Sequence, residues 1–435
     1  MADNRPPPGP SISPPWALRA RWLWTGRGAP RENELLTIAG ERIVAVGENT
    51  SGRPPRDFPD AFVCPGWINS HTHLEFGELT APLGSPGDSF SDWLGKVVRD
   101  RRAALATRPA DELAQERSRG IRAALRELTQ SGVTTVGEIA RPGWPAETGD
   151  GPPAATIFLE LLGLSPERLA PLLQLAEQHL AAAASLPVES ASASPAPHWR
   201  AGLSPHAPYT VSLELVERVC ALSRDARVPV AMHLAESWDE LELLSAHSGP
   251  LVDVLRDLDA WNPASLPRGL RPVDYLQRLA TADRALVVHG NFLSSTDWDF
   301  LAGHRDRLSV VYCPRTQARF VPTRYPLAEM LEHQVRVVLG TDSRATNPDL
   351  DFLAELRWVA TAHPEVEPAR LLELVTAEAA AALGWTDRGE LTVGSRADLV
   401  LLGPVERDPW QWMLQDTAAV CHVFCGGQRV GGSGD

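Results

Sequence analysis

The chain has 435 residues, 43% hydrophobic and 22% charged, an ordinary globular composition with length enough for a large core. Its net charge of −14 argues against a nucleic-acid partner, whose phosphates need a basic surface. No apolar run reaches the length of a membrane span, and five scattered cysteines suit reduced thiols in a cytoplasmic protein better than a disulfide framework.

Residues 1–16 are Pro-rich and lack the apolar segment of a signal peptide, so a disordered tail is expected. Residues 17–64 carry short alternating apolar stretches punctuated by Gly40 and Gly47, the pattern of strands and turns. From there the pattern changes. Short apolar runs fall at 62–69, 133–139, 155–162, 200–204, 229–234, 285–289, 308–313 and 335–340, with helical stretches between most of them. Helices are expected at 91–106, 111–130, 166–184, 212–224, 239–246, 295–303, 327–333, 351–363 and 368–383. Eight strand–helix units over about 300 residues predict an α/β fold, a (β/α)8 TIM barrel spanning 65–384. The Ser/Ala/Pro-rich stretch 186–198 reads as a loop within it. Residues 385–435 return to short strands at 391–394, 397–402 and 418–424. With 17–64 they are expected to build one small β-sandwich-like domain from both chain ends.

In such barrels the reacting groups sit at the C-terminal ends of the strands. That rule selects His71-Thr72-His73, Ser204-Pro205-His206, His233-Leu234-Ala235-Glu236, His289-Gly290 and Gly340-Thr341-Asp342-Ser343. His71 and His73 are one residue apart on a strand and share a face. Each feature alone has a plain structural explanation: a histidine at a strand end is more often packed than ligating, and an Asp after Gly-Thr is often a helix cap. All five at one end of one barrel point instead to chemistry. Neutral imidazoles with a carboxylate suit a borderline divalent ion, zinc foremost, with iron(II) or manganese as alternatives. A coordination position left to water makes such a site catalytic, because the ion lowers the water's pKa. Glu236, three residues past His233, is placed to shuttle protons, and His289 to orient or deprotonate the nucleophile.

Two-metal barrels of this general kind commonly bridge their ions with a carbamylated lysine at the end of strand four. Lys96 is the only lysine of this chain and lies in the first helical stretch, so one ion is expected. The His-x-Glu…Pro-Cys-x-x-Cys zinc-deaminase pattern is absent. Cys421 and Cys425 lack the second pair that a zinc knuckle needs. No glycine-rich phosphate cradle appears.

In these motifs the chain resembles the amidohydrolase superfamily, in particular its cytosine-deaminase-like branch of adenosine-derivative deaminases and triazine chlorohydrolases. The resemblance runs through Pro65-Gly66, His71-Thr72-His73, Ser204 to Tyr209, His233 to Glu236, Val288-His289-Gly290, Gly340 to Ser343 and Gly394 to Leu399. It implies metal ligands His71, His73, His233 and Asp342, proton transfer by Glu236, His289 and Asp342, and substrate contact by His206. It also implies a reaction: a hydroxide formed on the ion attacks an amino-bearing carbon of a purine nucleoside or related N-heterocycle, and ammonia leaves. The segment His73-Leu74-Glu75-Phe76, with Phe90 to Leu94 after it, is similar to aminodeoxyfutalosine deaminases and implies Glu75 and Trp93 in the substrate pocket.

One run departs from the branch pattern Cys-Pro-x-Ser-Asn. Here it reads Cys313-Pro314-Arg315-Thr316-Gln317, which sets an arginine toward the pocket. Triazine dechlorination, guanine deamination or cyclic-amide hydrolysis would use nearly the same groups, and a catalytically silent relative would keep only the scaffold. The partner expected is a small heterocycle, with no nucleic acid and no membrane, and a homo-oligomer is compatible with the sequence.

Overall fold

The computed structural model describes residues 14–144, 153–185, 199–405, 408–413 and 417–432. Residues 1–13 of the expected tail and the loop at 186–198 lie outside them. Eight parallel strands form the larger sheet: β5 (Trp67–Thr72), β6 (Val133–Ala140), β7 (Ala154–Leu161), β8 (Trp199–Pro205), β9 (Pro229–Leu234), β10 (Arg284–His289), β11 (Leu308–Tyr312) and β12 (Val337–Leu339). They lie side by side in chain order. The ring closes where β12 meets β5: Thr72 pairs with Asp342, and the Asp342 N–H donates to His71 O at 3.1 Å. Ile68, Phe158, Ala231, Leu286, Val288, Val311 and Val338 form one buried cluster. Inward residues of alternate strands fill such a barrel as packed layers.

The helices are α1 (Phe90–Thr107), α2 (Ala110–Gln130), α3 (Pro166–Ala184), α4 (Leu213–Ala226), α5 (Trp238–Ala246), α6 (Pro250–Asp257), α7 (Pro272–Leu279), α8 (Ser295–Gly303), α9 (Pro314–Phe320), α10 (Leu327–Glu332), α11 (Phe352–Ala362), α12 (Pro368–Glu373) and α13 (Ala377–Leu383). Three of them, α6, α7 and α9, were not expected from the sequence pattern. Each opens with proline in its first turn, where a missing N–H costs nothing. The single helix expected at 368–383 is two, broken around Thr376, whose φ/ψ of −126/−97° is not helical. The last of them, α13, adds Ala379, Ala380, Ala382 and Leu383 to the barrel's inner cluster and so plugs one end.

The smaller sheet holds seven strands in the order β15-β14-β13-β4-β1-β2-β3. Its members are β1 (Trp16–Leu23), β2 (Arg31–Ala39), β3 (Arg42–Val46), β4 (Arg56–Pro65), β13 (Leu399–Gly403), β14 (Ala419–Cys425) and β15 (Gln428–Gly431). The two chain ends join where β4 pairs antiparallel with β13, Cys64 opposite Val400. Trp16, placed in the tail by its sequence neighbours, already pairs with Ile38. The run expected at 391–394 is a turn, tied to the sheet by Leu391 N–H to Thr25 O and Gly394 N–H to Ile43 O.

The apolar run 62–69 proves to be two strands. Phe62 to Pro65 belong to the small sheet, and the barrel begins at Trp67. Between them Gly66 lies against β6: a Cβ there would fall 2.3 Å from Thr134 Oγ1, so only glycine allows that approach. Trp67 stacks on Trp412 with centroids 6.1 Å apart, and Phe62 packs on the same indole, so aromatic contacts join the two sheets.

Candidate metal centre and active site

β5 ends in a bulged register against β6, and this brings His71 and His73 to one point with ring centroids 4.9 Å apart and planes nearly perpendicular. His233 at the end of β9 stands 5.0 Å from His71 and 5.5 Å from His73, centroid to centroid. Asp342, just past β12, turns Oδ1 toward His71 Nε2 (3.6 Å) and His73 Nε2 (3.7 Å). His289, last residue of β10, places Nε2 3.3 Å from Glu236 Oε1. The strand-end residues selected from the sequence therefore converge, from five strands, on one end of the barrel.

The donor set fits a divalent cation on direct observations. The His73 and His233 Nε2 atoms face each other at 3.4 Å. His233 Nδ1 lies 2.9 Å from His206 O, and a carbonyl only accepts, so Nδ1 carries the proton. Burial, with His206 nearby, pushes the His233 imidazole down to about 4, so its Nε2 presents a lone pair at neutral pH. His71 is buried, and neither of its ring nitrogens has a hydrogen-bond partner among the described residues. Burial and the neighbouring histidines likewise hold His71 and His73 well below the ordinary imidazole value. Neutral imidazole nitrogens gathered beside a carboxylate in a dry site are the donors that a divalent cation takes.

The surroundings orient these groups. Thr316 Oγ1 (3.1 Å) and Thr346 Oγ1 (3.0 Å) lie within hydrogen-bond distance of Asp342 Oδ2, which leaves Oδ1 toward the imidazoles. Asn347 Nδ2 donates to Thr316 Oγ1 at 3.0 Å and to Thr341 O at 2.6 Å. Glu138, buried at the end of β6, accepts the Leu74 N–H at 2.9 Å and fixes the turn that follows His73. His206 is set by Thr210 Oγ1 at 2.8 Å from Nδ1 and faces Glu160, its Nε2 3.8 Å from the carboxylate; burial pushes it down to about 4. Burial, then the Asp342 and Glu240 charges, raise the Glu236 carboxyl well above the usual range. A carboxyl whose affinity for a proton is raised by its surroundings suits a proton shuttle. Ala235, His289 and Asp342 all adopt left-handed backbone, with φ of 55°, 70° and 57°. Left-handed backbone is uncommon for non-glycine residues, and three of them meet at this site.

A cavity of about 290 Å³ opens over these groups. Glu236, His206, Glu75 and Trp93 line it, beside an apolar wall that includes Phe90 and Leu255. Glu75 is ion-paired to Arg101 at 2.7 Å and to Arg141. The Trp93 indole N–H donates to Ala345 O at 3.3 Å. The arginine expected at the pocket is elsewhere: Arg315 is held by Glu355 (2.6 Å) and Asp349 (2.8 Å), away from the cavity lining. Gln317 donates to Thr323 O at 2.7 Å and is likewise structural. The part of that run with a role at the site is Thr316. Thr316, Thr346, Glu138 and Glu160 are site residues that no sequence motif singles out. The two glutamates end the second and third strands, where the strand-end rule applies equally.

Residues 62–430 match the model of the amidohydrolase family. Aminodeoxyfutalosine deaminase of Deinococcus radiodurans is 27% identical over 413 residues, covering 90% of this chain and 89% of the relative. The 5-methylthioadenosine/S-adenosylhomocysteine deaminase of Halobacterium salinarum is 29% identical over 384 residues, 84% of this chain and 78% of its own. Among solved structures, Helicobacter pylori aminofutalosine deaminase in complex with methylthio-coformycin aligns with a TM-score of 0.79 at 25% identity, over 95% of this chain and 100% of that one.

Proposed function

The chain belongs to the amidohydrolase family, and on that premise we propose that it is a hydrolase of non-peptide carbon–nitrogen bonds, a deaminase. Its substrate would be an adenosine derivative, with aminodeoxyfutalosine, methylthioadenosine and S-adenosylhomocysteine as the first candidates. The observation that carries the reading is the meeting of two overlapping groups at His71: His71, His73 and Asp342, and His71, His233 and His289, each with ligand atoms within 4.8 Å of one another, with Glu236 Oε1 3.3 Å from His289 Nε2 in the same cavity.

His71, His73, His233 and Asp342 would hold one divalent ion, most naturally zinc given the nitrogen-rich donor set. Such an ion, when bound, lowers the pKa of a water molecule and so supplies a nucleophile at neutral pH. The remaining work falls to the chain's own residues. The Glu236 carboxyl, raised by burial, carries a proton to the ring nitrogen beside the reacting carbon. His289, kept neutral by burial, accepts a proton from the attacking water or orients it. Asp342, its carboxylate oriented by Thr316 and Thr346, takes the remaining proton and delivers it to the departing amine. His206 offers its Nε2 to a heteroatom of the ring. Glu75 and Trp93, farther from the histidines, contact the part of the substrate that does not react.

The test is a panel of adenosine, methylthioadenosine, S-adenosylhomocysteine and aminodeoxyfutalosine, read by ultraviolet absorbance and ammonia release, with metal content measured on the same sample. A chlorotriazine in parallel reads chloride. Ammonia from at least one nucleoside, with about one ion per chain, is the expected result. Chloride without ammonia would replace the deaminase reading by a dechlorinase. No turnover by protein without a stoichiometric ion would favour a silent relative.

A further inference from the structure

Ser237-Trp238-Asp239-Glu240 has the spacing of a helix capping box, in which the glutamate ordinarily reaches back to the N–H of the capping serine. The serine half is present: the Glu240 N–H donates to Ser237 Oγ at 3.1 Å. The glutamate half is redirected. Glu240 Oε1 accepts the Ala235 N–H at 2.8 Å, and Oε2 accepts the Glu236 N–H at 3.0 Å. Both carboxylate oxygens thus bypass the cap and grip the turn between β9 and α5. Glu240 is fully buried, and its partners among the described residues include no cation.

That turn needs a grip. Ala235 has φ of 55°, a conformation that costs a side-chain-bearing residue free energy and persists only where neighbours fix it. The carbonyls of the same two residues are held from the other side. Phe292 N–H donates to Ala235 O at 3.1 Å, and Asn291 Nδ2 donates to Glu236 O at 2.9 Å. All four backbone polar groups of the pair are therefore engaged, and the Glu236 side chain leaves the turn toward His289 Nε2. If the turn relaxed to ordinary extended backbone, the Glu236 side chain would swing away from the histidines.

We propose that Glu240 is a positioning residue: its two carboxylate oxygens hold Ala235 in the left-handed conformation and thereby aim Glu236 at the reacting centre. This rests on the proton-transfer role given to Glu236 above. A helix cap alone would not require contacts outside the helix, and an ordinary buried acid would not face two consecutive N–H donors.

The test pairs Glu240→Gln with Glu236→Gln. Glutamine keeps the shape but offers one acceptor oxygen, and its NH2 must face an N–H. Glu240→Gln is expected to lower kcat about 10- to 100-fold, the scale of an ångström of misplacement, with KM and bound ion nearly unchanged. In a Glu236→Gln background the same change is expected to cost less than about twofold, because the group being aimed is already disabled. A purely structural role would lower the rate equally in both backgrounds, and that result overturns the proposal. Amide exchange of the peptide spanning Ala235 and Glu236 supplies a readout that needs no turnover. Loss of protection there in Glu240→Gln, with the other strand ends unaffected, upholds the grip; parent-like exchange overturns it. If Glu236→Gln alone were as fast as the parent, the role given to Glu236 would fall, and exchange separates that failure from a failure of the grip itself.

Discussion

Asp342 and Glu236 are both acids of the same cavity, yet their surroundings give them different work. Asp342 has one oxygen engaged by Thr316 and Thr346 and the other turned to His71 and His73. Glu236 faces His289 and is raised by burial. Replacing Asp342 by Ala should therefore abolish turnover, whether or not an ion remains. Glu236→Gln should retain the ion and lose about 10²- to 10⁴-fold in kcat, the usual scale for a general acid–base group. Turnover by Glu236→Gln near the parent's would contradict the division of roles, and steady-state kinetics with metal analysis reads both. Thr316→Val removes a hydroxyl that orients Asp342 without removing volume. Metal affinity, measured by competition with a chelator, should fall about 10- to 100-fold, as for other groups that orient a ligand. At this scale the sequence was legible where a residue type is rare and its place on a strand is plain: His71-x-His73, His233, Asp342. It was not legible where an unremarkable threonine meets the carboxylate from another part of the chain. Thr316 and Asp342 are 26 residues apart, and only the folded barrel makes them neighbours.

Elements reach the site through close backbone contact as well as side chains. The short 3₁₀ turn Leu74–Phe76 carries Glu75 and lies against α2. At Gly77 a Cβ would fall 2.1 Å from Gly120 O, and at Gly120 it would fall 2.8 Å from Glu75 O. These are backbone atoms and cannot step aside. Gly77→Ala should destabilise the fold by about 1–3 kcal/mol, seen as a lower urea midpoint with an unchanged slope; an unchanged midpoint would show that the turn can move off α2. In α3, His179 lies 3.0 Å from Ile157 O and stacks on Trp199, and burial lowers its pKa from 6.5. The unfolded chain then binds this proton more readily than the folded one, so stability falls as pH drops through 6.5. His179→Gln, which can still donate to Ile157 O, should reduce the loss of Tm between about pH 7 and 5. A loss equal to the parent's would place the acid sensitivity elsewhere. Element boundaries were readable where apolar period and punctuation agree, as in α2 and β9. They failed where one apolar run serves two sheets: within 62–69 only Pro65-Gly66 marks the change. The helices α6, α7 and α9 are short additions between the expected elements, and the signal they share is the proline that opens each one.

For the whole molecule, barrel closure and site assembly are the same event. Asn69 and Thr341 exchange hydrogen bonds of 2.7 and 3.1 Å, Thr72 Oγ1 donates to Asp342 O at 2.8 Å, and Asp342 N–H donates to His71 O. The seam between the first and last strands thus holds Asp342 against the two histidines that open the barrel, 271 and 269 residues earlier in the chain. No helix among the described residues is long and apolar enough to cross a membrane. The eightfold alternation of strand and helix made the barrel legible. The meeting of β4 with β13 was foreseeable only as two strand-rich flanks, because pairing partners more than 300 residues apart leave no local trace. Anomalous diffraction at the zinc edge, on crystals of protein loaded with zinc, tests the central claim most directly. One strong peak per chain is expected, within bonding distance of His71 Nε2, His73 Nε2, His233 Nε2 and Asp342 Oδ1. No peak among those four atoms, or an ion bound only at other residues, would contradict it.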